Sequence, residues 1–437
     1  MDCFVATGEI AAAISPELLA MTAEKQMAPK NLLPVSDALA KILAAASPIA
    51  DIESLPLNKA FGRTLARDLV STRTQPPCDV SAMDGYALRA EDVAAPEKRV
   101  LLAGESAAGR GFAASVKPGE CVRIFTGAPV PQGADAILIQ EAAIVDGAVI
   151  GAREPIREGL HIRRAGVDFR DGEVGLKAGA RLGPAELALA AAMNYPTAPV
   201  TRRPRVAILA TGDELVMPGQ TPGPDQIVCS NPFAVAAYVE GAGGEAVDLG
   251  IAGDDFSALE RGIAKAREIE ADILVTLGGA SVGDHDLVQS ALTKEGMELG
   301  FWRIAMRPGK PLIHGRLGAM HIMGLPGNPV SSIVCSLIFL IPLVRKLAGD
   351  RDAGADHTQP AILGADMKAN DQRQDYLRAT LESDGEGRVV ATPHTVQDSS
   401  LLSVFTRSQA LLIRAPHAPA AKAGEACRIL RLSSGGF

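Results

Sequence analysis

The chain has 437 residues, 47% of them hydrophobic, and a formal net charge of −8. A length of this order predicts about three domains. The apolar content excludes a disordered chain, and the acidic balance excludes a general nucleic-acid surface, which needs a basic face. The six cysteines (Cys3, Cys78, Cys121, Cys229, Cys335, Cys427) form no C-x-x-C pair and the seven histidines show no ligand spacing, so reduced, mostly buried thiols in a cytoplasmic protein are expected.

Residues 1–30 read as a poorly ordered extension. Asp2 is present and no Lys or Arg precedes Lys25, unlike the basic start of a signal peptide, and Met27 is a candidate start. From Asn31 the pattern firms up: Ser36 can cap a helix that lines Leu39, Ile42 and Leu43 on one side. A short strand is expected at Asp68–Val70. In Gln75–Ala87 prolines give way to the Asp84-Gly85 turn. Short β-like runs at Val100–Ala103, Cys121–Phe125, Ala136–Gln140 and Ala148–Ile150 predict a β-rich domain over 71–165, inserted into a linking domain formed by 31–70 and 166–200. Within the second flank, Gly183–Met193 is a helix whose Pro184 suits the first turn.

Beyond Thr201-Arg-Arg-Pro-Arg205, strands and helices alternate to about residue 350, which predicts an α/β domain with a largely parallel sheet. Strands are expected at Val206–Ala210, Glu245–Leu249, Ile273–Leu277, Phe301–Met306, Leu312–His314 and His321–Gly324, with helices at Asn231–Glu240 and Phe256–Ile269. The apolar run Val330–Val344, interrupted by serines and broken by Pro342, is too short to span a bilayer and predicts a buried helix, so no membrane partner is expected. After about residue 358 the chain turns β-like again, with strands at Arg373–Arg378 and Ala410–Ile413, giving a C-terminal β domain over 358–437. The fold class is therefore multidomain α/β plus β.

The stretch Asp272–Asp286 carries the functional argument. Five apolar-rich residues run into a loop of Gly278, Gly279, Ser281, Gly283, Asp284 and Asp286. The other strands of the α/β domain end in similar loops: Thr211-Gly-Asp-Glu-Leu215, Gly253-Asp-Asp255, Arg307-Pro-Gly-Lys310 and Gly324-Leu-Pro-Gly-Asn-Pro329. Ligands of open α/β sheets bind at that carboxyl edge. Asn328 and Pro329 stand where a helix starts, so free N–H groups there would favour an anion, as would Arg307 and Lys310. Glu214, Asp254 and Asp286 would repel a phosphate by roughly 4 kcal/mol each at about 4 Å and an effective dielectric near 20. A hard divalent cation turns that repulsion into bridging, and Mg²⁺ is the natural candidate. Asp284 or Asp255 could be simple helix caps, His285 a surface residue and Trp302 a packing residue, but caps alone leave the shared edge unexplained.

Ser81-Ala-Met-Asp-Gly-Tyr-Ala87, Thr126-Gly-Ala-Pro-Val-Pro131, Thr211–Leu215, Gly278–Asp284, Arg307-Pro-Gly-Lys-Pro311 and Gly324–Pro329, in this order, resemble the motif set of the MoeA and gephyrin E-domain family of molybdopterin molybdenumtransferases. The resemblance implies Mg²⁺-dependent reaction of molybdate with adenylylated molybdopterin, releasing AMP and molybdenum cofactor. It also implies a homodimer whose cleft joins the α/β domain of one subunit to the inserted domain of the other, with transient contacts to a molybdopterin adenylyltransferase and to cofactor acceptors. Carried over by residue, it assigns Asp286 and Asp254 to the metal and the adenylate phosphate, and Glu214, Asp84, Asp168 and Thr126 to the cleft. Ser281, Arg307, Lys310, Pro326, Pro329 and Ser331 fall in the substrate-binding set, with Arg378 and Ser399 or Ser400 as further members of the molybdate pocket. Asp398 and Ser400 stand where relatives often have glycine, Ala280 where valine is usual, and Arg303 and Arg307 where lysine is frequent. Two alternatives share the fold: a nucleotide-pyrophosphatase-like enzyme, which would not need Ser81–Ala87 and Thr126–Pro131, and a partner-binding scaffold, which could spare the acids.

Overall fold

The computed structural model describes residues 32–279 and 287–432. The expected extension over 1–30 lies outside them, as do Ser281, Asp284 and Asp286. The chain forms two compact units, Ala50–Arg202 and a second made of Met1–Ile49 with Arg203–Phe437.

In the first unit the two flanks close on each other. Ile52–Pro56 pairs antiparallel with Thr197–Thr201, and Leu69–Val70 with Val174–Leu176. Leu65, Leu69, Leu182 and Met193 are buried between them, beside the helix Pro184–Ala192. Between the flanks lies a six-stranded sheet in the order Ala136–Ile139, Gly85–Leu88, Glu120–Ile124, Val100–Ser106, Val149–Ala152, Ala143–Asp146. Alternating side chains of Gly85–Leu88 enter two small cores, Tyr86 and Leu88 on one side and Ala87 on the other, so every residue of this strand is buried.

The second unit holds the α/β sheet. Its strands are β1 (Arg205–Thr211), β2 (Glu245–Ala252), β3 (Ile273–Leu277), β4 (Glu298–Arg303), β5 (Pro311–Leu317) and β6 (Met320–Leu325), in the order β2-β1-β3-β6-β5-β4. β1 pairs parallel with β2 and β3, and β3 with β6, while β5 runs antiparallel to both β6 and β4. Only β5 is therefore reversed. Helices α1 (Val35–Ala44) and α2 (Asn231–Gly241), with α5 (Pro329–Leu347), cover the face that carries Val206 and Ile208. Helices α3 (Phe256–Glu268) and α4 (Leu287–Lys294) cover the face that carries Ala207 and Leu209. β3 is buried at every position because both faces are covered.

Three expectations change. α1 belongs with the α/β unit and not with the linking segments, because Val35, Ala38 and Ile42 fill its core. The strand expected over Phe301–Met306 divides: β4 ends at Arg303, and Met306–Arg307 pairs with Gln374 and Asp375 of the C-terminal sheet. α5 is longer than its apolar run and, among the described residues, is the one helix long and apolar enough to cross a membrane; most of it is buried within the protein. A π turn at Ser336–Leu340 precedes Pro342, whose missing N–H leaves a carbonyl one turn back without its helical donor.

The C-terminal strand Gln374–Ser383 pairs with both Val389–Pro393 and Ala410–Arg414. These lead through Gln359–Leu363 and Ala426–Arg431 into a closed ring around Leu363, Ala379, Leu412 and Ile429.

Candidate active site

β4 and β6 are both antiparallel to β5, so β4 runs in the direction of β1, β2, β3 and β6. The loops that follow these strands thus emerge at one edge, as expected of a ligand edge. Glu214 and Asp254 lie on two of these loops and are exposed. The Asp254 N–H donates to Asp213 Oδ1 at 3.0 Å, which ties the two loops together. Gly212 has a φ of +143°, and a Cβ there would lie 2.3 Å from Glu214 Oε2, so the Glu214 carboxylate occupies space that only glycine leaves. Asp255 is a cap, accepting from Ala258 N–H at 2.8 Å.

A hard divalent cation needs oxygen ligands. Asp213, Glu214 and Asp254 supply them, but no group of three or more acids, histidines or cysteines among the described residues converges on a ready-made metal cage. The donor set fits a cation held by one or two carboxylates together with substrate oxygens.

The loop before α5 is anchored. Pro326 is buried, Asn231 Nδ2 donates to Gly327 O at 2.7 Å, and the Asn328 carbonyl receives Ser332 N–H at 3.0 Å without a side-chain cap. The N–H of Val330, one residue beyond Pro329, donates to Ser399 O at 3.0 Å, so one of the N–H groups expected to be free for an anion is already taken. Ser331 is 4% exposed.

Arg307 is also engaged. Its Nε and Nη2 donate to the two carboxylate oxygens of Asp375 at 2.8 and 2.6 Å, Nη1 reaches Asp371 at 3.4 Å, and Nη2 also reaches Asn370 at 3.2 Å. The bonds it donates to Asp375 raise its pKa above the ordinary arginine value. Two carboxylates therefore compensate the charge that was expected to bind oxyanions. Lys310 is exposed and makes no ion pair among the described residues.

Arg378 is the opposite case. It is 1% exposed, and its Nε and Nη1 donate to neutral acceptors, Gln397 Oε1 at 3.1 Å and Asp398 O at 3.1 Å. Burial pushes its pKa down. The Asp398 carboxylate accepts from Ser400 N–H and Oγ–H at 2.8 and 2.7 Å, bonds that hold its pKa below the usual range. Arg378, the loop Gln397–Ser400 and the start of α5 thus form one contiguous set.

In the unit Ala50–Arg202, Asp84 Oδ1 accepts from both the N–H and the hydroxyl of Thr126, at 2.7 and 2.8 Å. Those two bonds, the backbone one first, hold Asp84 below the usual carboxylate range. The Arg123 guanidinium lies 5.1 Å from the ring centres of Tyr86 and Phe125. Asp168 is exposed, with its N–H bonded to Gln75 O.

Sequence reading missed Asp213, Asp375 and Gln397. Asp375 carried a signal: arginine in place of lysine at 307 calls for a planar carboxylate partner, and Arg373–Arg378 was expected to be a strand. Gln397 carried none, since its role comes only from the folding of a loop.

The fold and this edge define a multidomain α/β protein that brings carboxylates and a buried arginine to the ligand side of one unit. Three family models lie along the chain: the MoeA N-terminal region (domain I and II) over residues 33–194, a probable molybdopterin binding domain over 207–346 and the MoeA C-terminal region (domain IV) over 360–432. A molybdopterin molybdenumtransferase of Haemophilus influenzae is 34% identical over 400 residues, covering 91% of this chain and 98% of that protein. Molybdopterin molybdenumtransferase 2 of Mycobacterium tuberculosis is 38% identical over 355 residues, covering 79% and 86%. The crystal structure of the molybdopterin biosynthesis MoeA protein of Pyrococcus horikoshii superposes with a TM-score of 0.80 at 28% identity, covering 92% of this chain and all of that one. The chain belongs to the MoeA family of molybdopterin molybdenumtransferases and is an enzyme.

Proposed function

We propose that the protein inserts molybdenum into molybdopterin, and that its substrates are molybdate and adenylylated molybdopterin, with AMP released. The supporting observation is the segregation of charge in the α/β unit. Glu214 and Asp254 stand on the loops after β1 and β2, while Arg378 and Ser331 gather near the start of α5. Molybdate is a dianion and needs donors, whereas a diphosphate linkage beside carboxylates needs a cation. Asp254 and Asp286 would hold Mg²⁺, which when bound supplies charge neutralisation at the phosphate oxygens. Arg378 and Lys310 would orient the oxyanion, with Ser331 as a hydroxyl donor, while the Ser400 hydroxyl is committed to the Asp398 carboxylate and would shape the pocket by holding that loop. Glu214 would line the cleft close to the adenylate. We further propose that the protein acts in the cytoplasm as a homodimer, a second copy supplying Asp84, Thr126 and Asp168 to the cleft.

The test is AMP release from adenylylated molybdopterin in the presence of Mg²⁺ and molybdate. Wild-type protein should release AMP only with both present, and Asp286→Asn should stop release while thermal unfolding stays unchanged. Molybdate-independent AMP formation, or none at all, would overturn the reading.

A further inference from the structure

The side-chain amide of Gln397 acts as a peptide group laid beside residue 378. Its Oε1 accepts from both the backbone N–H and the Nε of Arg378, at 3.0 and 3.1 Å. Its Nε2 donates to Arg378 O and to His394 O, both at 2.9 Å. One side chain therefore fixes the strand position of Arg378, the root of the loop and the direction of the guanidinium together. The next residues carry the restraint onward: Asp398 O accepts from Arg378 Nη1 at 3.1 Å, and Ser399 O accepts from Val330 N–H at 3.0 Å.

The acceptors are chosen in charge as well as in place. Arg307, in the short strand that follows β4, is clamped by a carboxylate, whereas Arg378 is held by an amide and a backbone carbonyl. A carboxylate at 397 would also satisfy Nε, but it would cancel the positive charge. The Asp398 carboxylate is close enough to attract Arg378, but its hydrogen bonds go to Ser400, so the groups bonded directly to the guanidinium are neutral and leave it oriented and open to an anion.

We propose that Gln397 is a positioning residue for oxyanion capture: it orients Arg378 without neutralising it. This rests on the proposed molybdate reaction. Gln397→Glu keeps the shape and the Oε1 acceptor, sets a negative charge against Arg378, and gives up the two Nε2 donations to Arg378 O and His394 O. Gln397→Met keeps the bulk and removes every hydrogen bond. Loss of one charge-assisted contact to the oxyanion corresponds to roughly a tenfold change in affinity. The half-saturating molybdate concentration should therefore rise about tenfold or more in Gln397→Glu, with a smaller change in the rate at saturating molybdate. Calorimetric titration with molybdate alone should show the same loss of affinity.

A merely structural loop staple makes a different pattern. Gln397→Met would then lose thermal stability, and both variants, where folded, would keep the wild-type molybdate dependence; that result overturns the inference. If Gln397→Met fails to fold, Gln397→Glu decides alone by its molybdate titration. Wild-type protein is the control in each assay: no molybdate-dependent AMP release from it defeats the proposed function, whereas normal release with unchanged variants defeats only the role of Gln397.

Discussion

Two buried histidines on adjacent strands should make the α/β unit sensitive to acid. His314 on β5 and His321 on β6 are 3% and 2% exposed, with Nε2 of the first 3.4 Å from Nδ1 of the second. Arg316 Nη1 lies 3.1 Å from His321 Nε2. A guanidinium only donates, so His321 must leave Nε2 bare and carry its proton on Nδ1, which then donates to His314. Protonating His321 would set two cations face to face, opposed by roughly 5 kcal/mol at about 3 Å and an effective dielectric near 20. Burial first, and then Arg316, depress the pKa of His314 to about 4 and of His321 to about 3. Both rings are therefore neutral in the folded protein, while in the unfolded chain they titrate near 6.5. The sign follows: the unfolded state binds protons first, so the stability these rings contribute is complete above about pH 6.5 and is lost as pH falls toward their folded values. By about pH 4.5 the loss should reach about 2 to 3 kcal/mol per ring. Trp302, the single tryptophan, sits on β4 beside Phe301, whose ring is 5.5 Å from that of His314, so its emission reports unfolding of this region. Urea titrations followed by Trp302 should give midpoints that fall steeply below pH 6. In His321→Gln an amide can accept from Arg316 and donate to His314 without titrating, so about half of that acid dependence should vanish. Parallel loss of stability in wild type and variant would refute the argument.

Two shorter tests concern the other unit. Gly85→Ala would put a Cβ 2.0 Å from the Leu138 carbonyl oxygen and 2.9 Å from Ile139 Cα, in a strand paired on both sides. Backbone cannot yield as a side-chain end can, so calorimetry should show a loss of about 3 kcal/mol or more in the β-rich unit. Thr126→Val removes the hydroxyl bond to Asp84 and keeps the backbone one. The Asp84 pKa should rise from its depressed position, moving the acid limb of AMP release to higher pH; an unmoved limb would exclude ionised Asp84 from the rate-limiting chemistry.

The chain's local patterns made most of the architecture legible. Alternating apolar strands and amphipathic helices from Val206 to Leu347 specify an α/β sheet because burial on two faces imposes its period on the sequence. The motif loops at Thr211–Leu215 and Gly324–Pro329 mark the ligand edge because glycine permits backbone conformations and close approaches that other residues forbid, and proline fixes φ. Tertiary structure decided what each charge does there. Arg307 and Arg378 look equivalent in sequence, yet one is compensated by Asp375 and Asp371 and the other is held by Gln397 and a carbonyl. The same holds for Val330, whose N–H meets Ser399 from a loop far along the chain. Periodicity reports which face of an element is buried, but the partner of a polar group depends on which distant segment the fold brings within hydrogen-bond reach, and no local pattern encodes that.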